Sequence, residues 1–368
     1  MIKLLIVDDS ALMRRQLTLL FQAEGDFEIR QARNGQEAVD ENRQFQPDVV
    51  TLDINMPEMD GITALSLIMT ERPVPVVMVS SLTEKGALAT FEALNLGAVD
   101  YVAKPGGTIS LTLDQVAPDL LAKVRAAARA KLGRGRAAPV AKTVAKPAGS
   151  AQGLRQRLID ERESAQRAAT LAPAVGSEGL LIIGVSTGGP RALEQVLPAL
   201  PANFPWPVLV AQHMPSSFTG PFSARLDGLC ELSVVEAARP MPVQVGTIYI
   251  GKGGADMVLT RRAGVLTVLP KPESSEHLWH PSVELLARSA LEHVKPGNLV
   301  AVMLTGMGFD GADGFAAIKR AGGRTIAESE ETAVVFGMPA VLIEKGGASL
   351  VVPLDKVATQ VKAWASRG

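Results

Sequence analysis

Between Lys123 and Arg157 the chain carries ten Lys or Arg and no Asp or Glu, around an Ala/Pro/Gly-rich centre, GRGRAAPVAKTVAKPAGSAQG. So few large apolar side chains cannot bury enough surface to offset the entropy of ordering such a stretch, so it reads as a tether. Its placement dictates two globular units, and 368 residues exceed what one hydrophobic core usually holds. The expected limits are 1–122 for the first unit, 123–175 for the linker, with a helical pattern over 154–172, and 176–368 for the second. Short apolar runs alternate with amphipathic stretches on both sides of the break. KLLIVDD, FEIRQA, PDVVTLD, VPVVMVSS and VDYVAK read as strands in the first unit; LLIIGVS, VLVAQHM, VGTIYIGK, VLTVLPK and LVAVMLTG read as strands in the second. Strands alternating with helices predict a largely parallel sheet covered on both faces, so each unit is expected to be α/β.

A formal net charge of −1 supplies no global field for nucleic acid or an anionic membrane. The positive charge is confined to the linker, where no aromatic residue is interleaved for base stacking, so a solvated hinge is the better reading and no nucleic-acid partner is expected. A single cysteine, Cys230, excludes an internal disulfide framework and a thiolate-rich metal cluster, and it reads as a small buried apolar residue. The opening MIKLLIVDDS is too short for a signal-peptide core, and no apolar run reaches membrane-spanning length. A cytoplasmic protein without membrane insertion is expected.

Four strand ends of the first unit carry chemistry: Asp8 and Asp9 after KLLIV, Asp53 in VVTLDINMPEMDG, Ser80 in VVMVS, and Lys104 in VAKP. In an open parallel sheet these ends converge on one crevice. Carboxylate pairs at ~4 Å repel by roughly 4 kcal/mol at an effective dielectric near 20, so the cluster needs a divalent cation and the ammonium to stay ionised. Hard oxygen ligands point to Mg²⁺. Singly, each residue has an ordinary explanation, such as a helix cap or a solvated lysine. Together the DD pair, the D-x-x-M-P-x-M-D-G run and the K-P dipeptide resemble the receiver domain of two-component response regulators, over residues 3 to 120. The resemblance implies a flavodoxin-like sheet of order 2-1-3-4-5, with Asp53 phosphorylated by a histidine kinase phosphodonor. It further implies Asp8, Asp9, Asp53 and Asn55 around the metal, Ser80, Tyr101 and Lys104 as the switch residues, and a cis bond at Pro105.

In the second unit, Gly184-Val185-Ser186-Thr187-Gly188 joins a strand to the amphipathic RALEQVLPAL. This G-x-S-x-G frame suits a nucleophile elbow, in which a tight turn exposes a serine and aims backbone N–H groups at the reacting oxygen. A phosphate-cradling loop looks similar but lacks its lysine here, and a purely structural turn competes as well. The base must come from His213, His277, His280 or His293. His213 ends a strand, and Asp310 in VMLTGMGFDGADG is placed to orient it. The order Ser, His, Asp differs from the Ser, Asp, His of an α/β-hydrolase. A zinc site of His213, Asp310, His277 and His280 is the alternative, although SSEHLWHP lacks the H-E-x-x-H form.

Through GVSTGGP, QHMPSSFT, LTGMGFDGADG and VVFGMP, residues 179 to 356 resemble the catalytic domain of the chemotaxis protein-glutamate methylesterases, the CheB family, and receiver followed by esterase is that family's order. The resemblance implies a doubly wound α/β domain and phosphorylation-regulated hydrolysis of glutamate methyl esters on methyl-accepting chemotaxis receptors. Catalysis would need no cofactor in the esterase and would use Ser186, His213 and Asp310, with backbone amides of Thr187, Gly188 and Met307 as oxyanion donors. Glutamine deamidation is implied as a second activity. Three segments depart from the family's usual wording: WHPSVE for HRPSVD, Phe309 at a more often polar position, and AESEETAVVFGMP for an AQDEAT-type run. A response regulator acting only by binding, whether through DNA or as a catalytically weak receptor partner, is the alternative from another class. A DNA-binding output would show a basic helical module, and the strand-rich second unit shows none. A free-standing lipase or peptidase leaves the first unit unexplained.

Overall fold

The computed structural model describes residues 1–80, 83–104, 109–130 and 179–366, with backbone alone at Ser80, 84–85 and 109–115. The helical pattern over 154–172, Pro105 and the Ser80 side chain therefore lie outside the described residues.

The first unit runs β1 (Ile2–Val7), α1 (Ala11–Glu24), β2 (Phe27–Ala32), α2 (Gly35–Phe45), β3 (Val49–Asp53), α3 (Gly61–Glu71), β4 (Val76–Ser80), α4 (Glu84–Leu96), β5 (Asp100–Ala103) and α5 (Ile109–Ala128). The strands pair in parallel in the order β2-β1-β3-β4-β5, as expected. Every residue of β3 is buried, as required of a central parallel strand with helices on both faces. Ser10, Asn34 and Asp60 cap α1, α2 and α3 by accepting the N–H groups of Met13, Glu37 and Thr63. Helix α5 runs past the expected limit at residue 122. Val124 and Ala127 are fully buried against the first core, and Arg125 reaches Glu24 at 2.8 Å and Asp26 at 3.0 Å. Of the basic residues from Lys123 onward, Lys123 is itself largely buried and donates to Tyr101 O at 2.8 Å, so the basic run begins within a packed helix.

The second unit comprises β6 (Leu180–Val185), α6 (Gly189–Val196), β7 (Val208–Gln212), α7 (Ser216–Asp227), β8 (Ser233–Ala237), β9 (Met241–Pro242), β10 (Thr247–Gly251), β11 (Ala255–Arg262), β12 (Val265–Pro272), α8 (Val283–His293), β13 (Leu299–Met303), α9 (Ala312–Arg320), β14 (Arg324–Glu328), α10 (Met338–Glu344), β15 (Leu350–Val352) and α11 (Leu354–Ala365). Seven strands form a parallel sheet, β15-β14-β13-β6-β7-β10-β8. The run VLTVLPK is a strand, β12, but it lies outside that sheet, in a separate antiparallel one of order β11-β12-β9. Its partner β11 is joined to it by Ala263 and Gly264 at φ 47° and 82°. That two-residue turn with both φ positive matches the twist of an antiparallel ribbon, and an Ala in its first position hides the hairpin from a reading that looks for Asn-Gly or Asp-Gly.

Both parallel sheets reverse winding direction at one place, between β1 and β3 in the first and between β6 and β13 in the second. Crevices form at such points, outside the carboxyl ends of the strands. The units also pack on each other. Helix α4 lies along α7, with the Phe91 ring 5.3 Å from Phe222 and 6.2 Å from Phe218, and Tyr101 stacks on Phe218 at 4.6 Å. One continuous buried cluster therefore includes residues of both units.

Candidate functional site

At the first crevice, Lys104 Nζ lies 2.8 Å from Asp8 Oδ2 and 2.7 Å from Asp53 Oδ2. Carboxylate oxygens of Asp8, Asp9 and Asp53 lie within 4.8 Å of one another. Asp8 and Asp53 are buried while Asp9 is exposed. Three converging carboxylates with one open to solvent are the donor set a hard divalent cation takes, so the residues fit Mg²⁺. Burial pushes the Asp53 carboxyl up, and the adjacent Lys104 ammonium offsets this only in part. Burial works against the charge on Lys104 too, but its two carboxylate partners prevail and raise its pKa. The Asn55 N–H reaches Asp53 Oδ1 at 3.4 Å, which places Asn55 at the rim. Tyr101 stands apart from this pocket: its ring is buried against Phe218 of the second unit.

At the second crevice, Ser186 directly follows β6 and His213 directly follows β7, and these strands are register neighbours through Val185 and Gln212. The loop leaving β13, on the other side of β6, brings in Asp310. His213 Nε2 lies 2.9 Å from Asp310 Oδ2. Asp310 accepts in addition from the Val283 N–H at 2.7 Å, the Glu284 N–H at 3.0 Å and the Ser282 hydroxyl at 3.1 Å. The carboxylate thus sits on the N-terminus of α8, where unpaired amides and the helix dipole favour an anion. Burial pushes Asp310 up, but its bonds to His213 and the two amides outweigh this and hold it below the usual carboxylate range. An ionised Asp310 takes its proton bond from Nε2–H, which assigns the tautomer and leaves the lone pair on Nδ1. Nδ1 is buried and without a partner among the described residues.

Gly188 has φ 78° and caps α6, a conformation open to glycine at little cost. No acceptor among the described residues takes the N–H of Thr187, Gly188 or Met307. These are the three donors expected for an oxyanion. Of the other histidines, His280 bonds Asp256 at 2.9 Å and His293 ends α8, so His213 and Asp310 are not joined to them in a metal cluster among the described residues. His277 lines an open cleft of about 300 Å³ beside Asp310, with Glu276, Trp279, Arg288 and Phe309. Cys230 is half-buried and its thiol is pushed up to about 11 by burial, then by Asp227.

Sequence reasoning missed the residues that hold this site. Gln212 bridges the Ser186 and His213 backbones, donating to Ser186 O at 3.1 Å and His213 O at 2.9 Å. The Thr305 hydroxyl donates to Thr187 O at 2.9 Å and accepts from the Val335 N–H. Ser282 both caps α8 and bonds Asp310. Gln212 and Thr305 lie inside the motifs QHMPSSFT and LTGMGFDGADG without a role read for them, and Ser282 stands as a capping residue ahead of the helical VELLARSALEHV.

A sequence model of the family described as CheB methylesterase matches residues 181–361, and one described as response regulator receiver domain matches residues 4–113. A Rhodospirillum rubrum protein named protein-glutamate methylesterase/protein-glutamine glutaminase 3 is 52% identical over 100% of this chain and 97% of its own. The chain belongs to the CheB methylesterase family. A second member, protein-glutamate methylesterase/protein-glutamine glutaminase 2 of Rhodopseudomonas palustris, is 51% identical over 99% of this chain and 98% of its own. The CheB methylesterase catalytic domain crystal structure from Thermotoga maritima matches at 40% identity and a TM-score of 0.49, covering 51% of this chain and 99% of that one. Two of the departures from the usual CheB wording meet at the site, because Trp279 and Phe309 both line the cleft beside Asp310. Among the described residues no helix is long and apolar enough to cross a membrane.

Proposed function

We propose that this CheB methylesterase hydrolyses γ-glutamyl methyl esters on methyl-accepting chemotaxis receptors, with Ser186 as nucleophile, His213 as base and Asp310 as its orienting partner. The observation that carries this reading is the His213–Asp310 pair at 2.9 Å with Nδ1 left unpartnered, at the strand ends that also present Ser186. Ser186 Oγ attacks the ester carbonyl and passes its proton to Nδ1. The N–H groups of Thr187, Gly188 and Met307 receive the oxyanion, each worth ~3 to 4 kcal/mol when well aimed. His213 returns the proton to the leaving methanol. Water then adds to the acyl-enzyme by the same route, releasing glutamate. Loss of ammonia from a glutamine side chain would use the same groups, which supports a second, deamidating activity.

Asp53 is the phosphoacceptor in this reading. Asp8, Asp9 and Asp53 would hold Mg²⁺, with Asn55 at the rim, and the cation would supply positive charge opposite the transferring phosphoryl group. Lys104 neutralises the same group from the protein side, and the phosphoryl comes from a histidine kinase. The receiver controls the esterase through the α4 and α7 contact, since Phe91 and Tyr101 pack on the helix that follows His213. Incubation with methylated receptor membranes should release methanol and leave glutamate at the formerly esterified positions, read by mass spectrometry of the receptor. Receptors that keep their esters while binding the protein would favour the binding-only alternative.

A further inference from the structure

We propose that Trp279 is a positioning residue of the hydrolase, a flat wall that fixes the plane of the His213 imidazole; this rests on the Ser186, His213 and Asp310 reading above. The indole lies parallel to the imidazole, with 5° between the planes and 5.8 Å between ring centroids. Asp310 holds the ring by one atom, Nε2. A single hydrogen bond still lets the imidazole rock about its Cβ–Cγ bond, a soft torsion, and that rocking swings Nδ1, the atom that must meet Ser186. A parallel aromatic face removes the remaining rotation. During reaction the imidazole becomes a cation, and an indole is the best aromatic face for one.

The wall is itself held from three directions. Phe309 meets Trp279 edge-on, with ring centroids 5.1 Å apart and an interplanar angle of 84°. Gly308, at φ 86°, lies so close that an added Cβ would stand 2.7 Å from Trp279 Cζ2. The chain segment carrying Trp279 is pinned to buried Asp256 by the Ser274 N–H at 3.1 Å, His280 Nδ1 at 2.9 Å and the Ser282 N–H at 2.8 Å. Ser282 then binds Asp310. Trp279 therefore connects the His213 ring to Gly308, the residue after Met307, whose N–H is expected to stabilise the oxyanion. Trp279 and Phe309, two of the departures from family wording, form one paired device.

The test uses the full-length protein on methylated receptor membranes, with methanol release as the assay. Trp279→Leu keeps apolar bulk but loses the flat face, and Trp279→Phe keeps a smaller one. Misplacing a catalytic group by about 1 Å costs up to ~10²-fold, so Trp279→Leu should lower kcat by about tenfold to a hundredfold with KM within about twofold. Trp279→Phe should recover most of that loss. Phe309→Ala, at a side chain 56% exposed and so harmless to folding, removes only the brace and should lower kcat about threefold to tenfold, the size of one aromatic pair. Labelling of Ser186 by a fluorophosphonate should slow in the same order, without any receptor present. Unchanged kcat and labelling rate in Trp279→Leu would overturn the proposal, as would a loss confined to KM. If Trp279→Leu fails to fold, the Phe309→Ala rates decide in the same way. His213→Ala, run alongside, separates the two readings: activity retained there sinks the triad, whereas a dead His213→Ala beside an active Trp279→Leu sinks only the role of Trp279.

Discussion

Asp310 makes four hydrogen bonds, and three of them are to the first turn of α8 or its cap. A carboxylate satisfied in this way orients the imidazole instead of taking its proton. Asp310→Asn keeps the shape but presents an amide to Nε2 and to two backbone donors, so methanol release should fall by ~10⁴, as for Ser186→Ala and His213→Ala, and double variants should lose little more. Multiplicative losses in the doubles would mean that the three residues act independently. At the other crevice, Asp53→Asn should abolish phosphoryl uptake, and EDTA should suppress it in the wild type. Labelling of the Asp53→Asn variant at the same position would remove Asp53 from its role. The places of Ser186, His213, Asp53 and Lys104 were legible because each stands at a strand end, where sequence pattern and topology coincide, and Asp310 follows in the loop that leaves β13. The contacts of Trp279 and Gln212 were not, since the His213 ring and the Ser186 carbonyl that they meet are distant in sequence and leave no local pattern.

At the scale of elements, strands β6, β7, β13 and β14 bring four loops to one edge, and the last of them ends in a buried acid. Glu328 is fully buried at the end of β14, where it accepts from the Thr305 N–H at 2.8 Å and from the Thr332 hydroxyl at 2.9 Å. Burial pushes its pKa up, and those two bonds only partly offset this. The folded state thus keeps the Glu328 proton to higher pH than the unfolded chain does. Stability is therefore lost as pH rises from the ordinary carboxylate range through that raised value. Glu328→Gln cannot ionise and can keep both contacts. Its gain in Tm over wild type should be small near about pH 4 and larger near about pH 8, as read by calorimetry; a gain that shrinks with rising pH would contradict this account. The parallel elements were readable from their buried runs between turn signals. The β11 and β12 hairpin was misplaced because its alternation is that of any half-buried strand, and only the positive φ values of Ala263 and Gly264 reveal the turn.

For the whole molecule, the two units that carry the switch-point crevices pack through one aromatic interface. Phe91, Phe218 and Phe222 look in sequence like ordinary core positions of their own helices, and Tyr101 stood out only as a receiver switch residue, so the docking was not legible there. Near the interface, burial pushes the Asp100 carboxyl up, with the Lys123 ammonium pulling it back in part. Phe91→Ala removes one face of the interface and should raise basal methanol release in the absence of phosphodonor, up to the activity of a fragment lacking residues 1 to 150. A docked form favoured by about 2 kcal/mol would allow a rise of about thirtyfold. The most direct measurement is methanol release from methylated receptor membranes by full-length protein, with and without a small phosphodonor, beside Ser186→Ala under the same conditions. The account predicts release by the wild type that rises with phosphodonor and vanishes in Ser186→Ala; release by Ser186→Ala at the wild-type rate would contradict it.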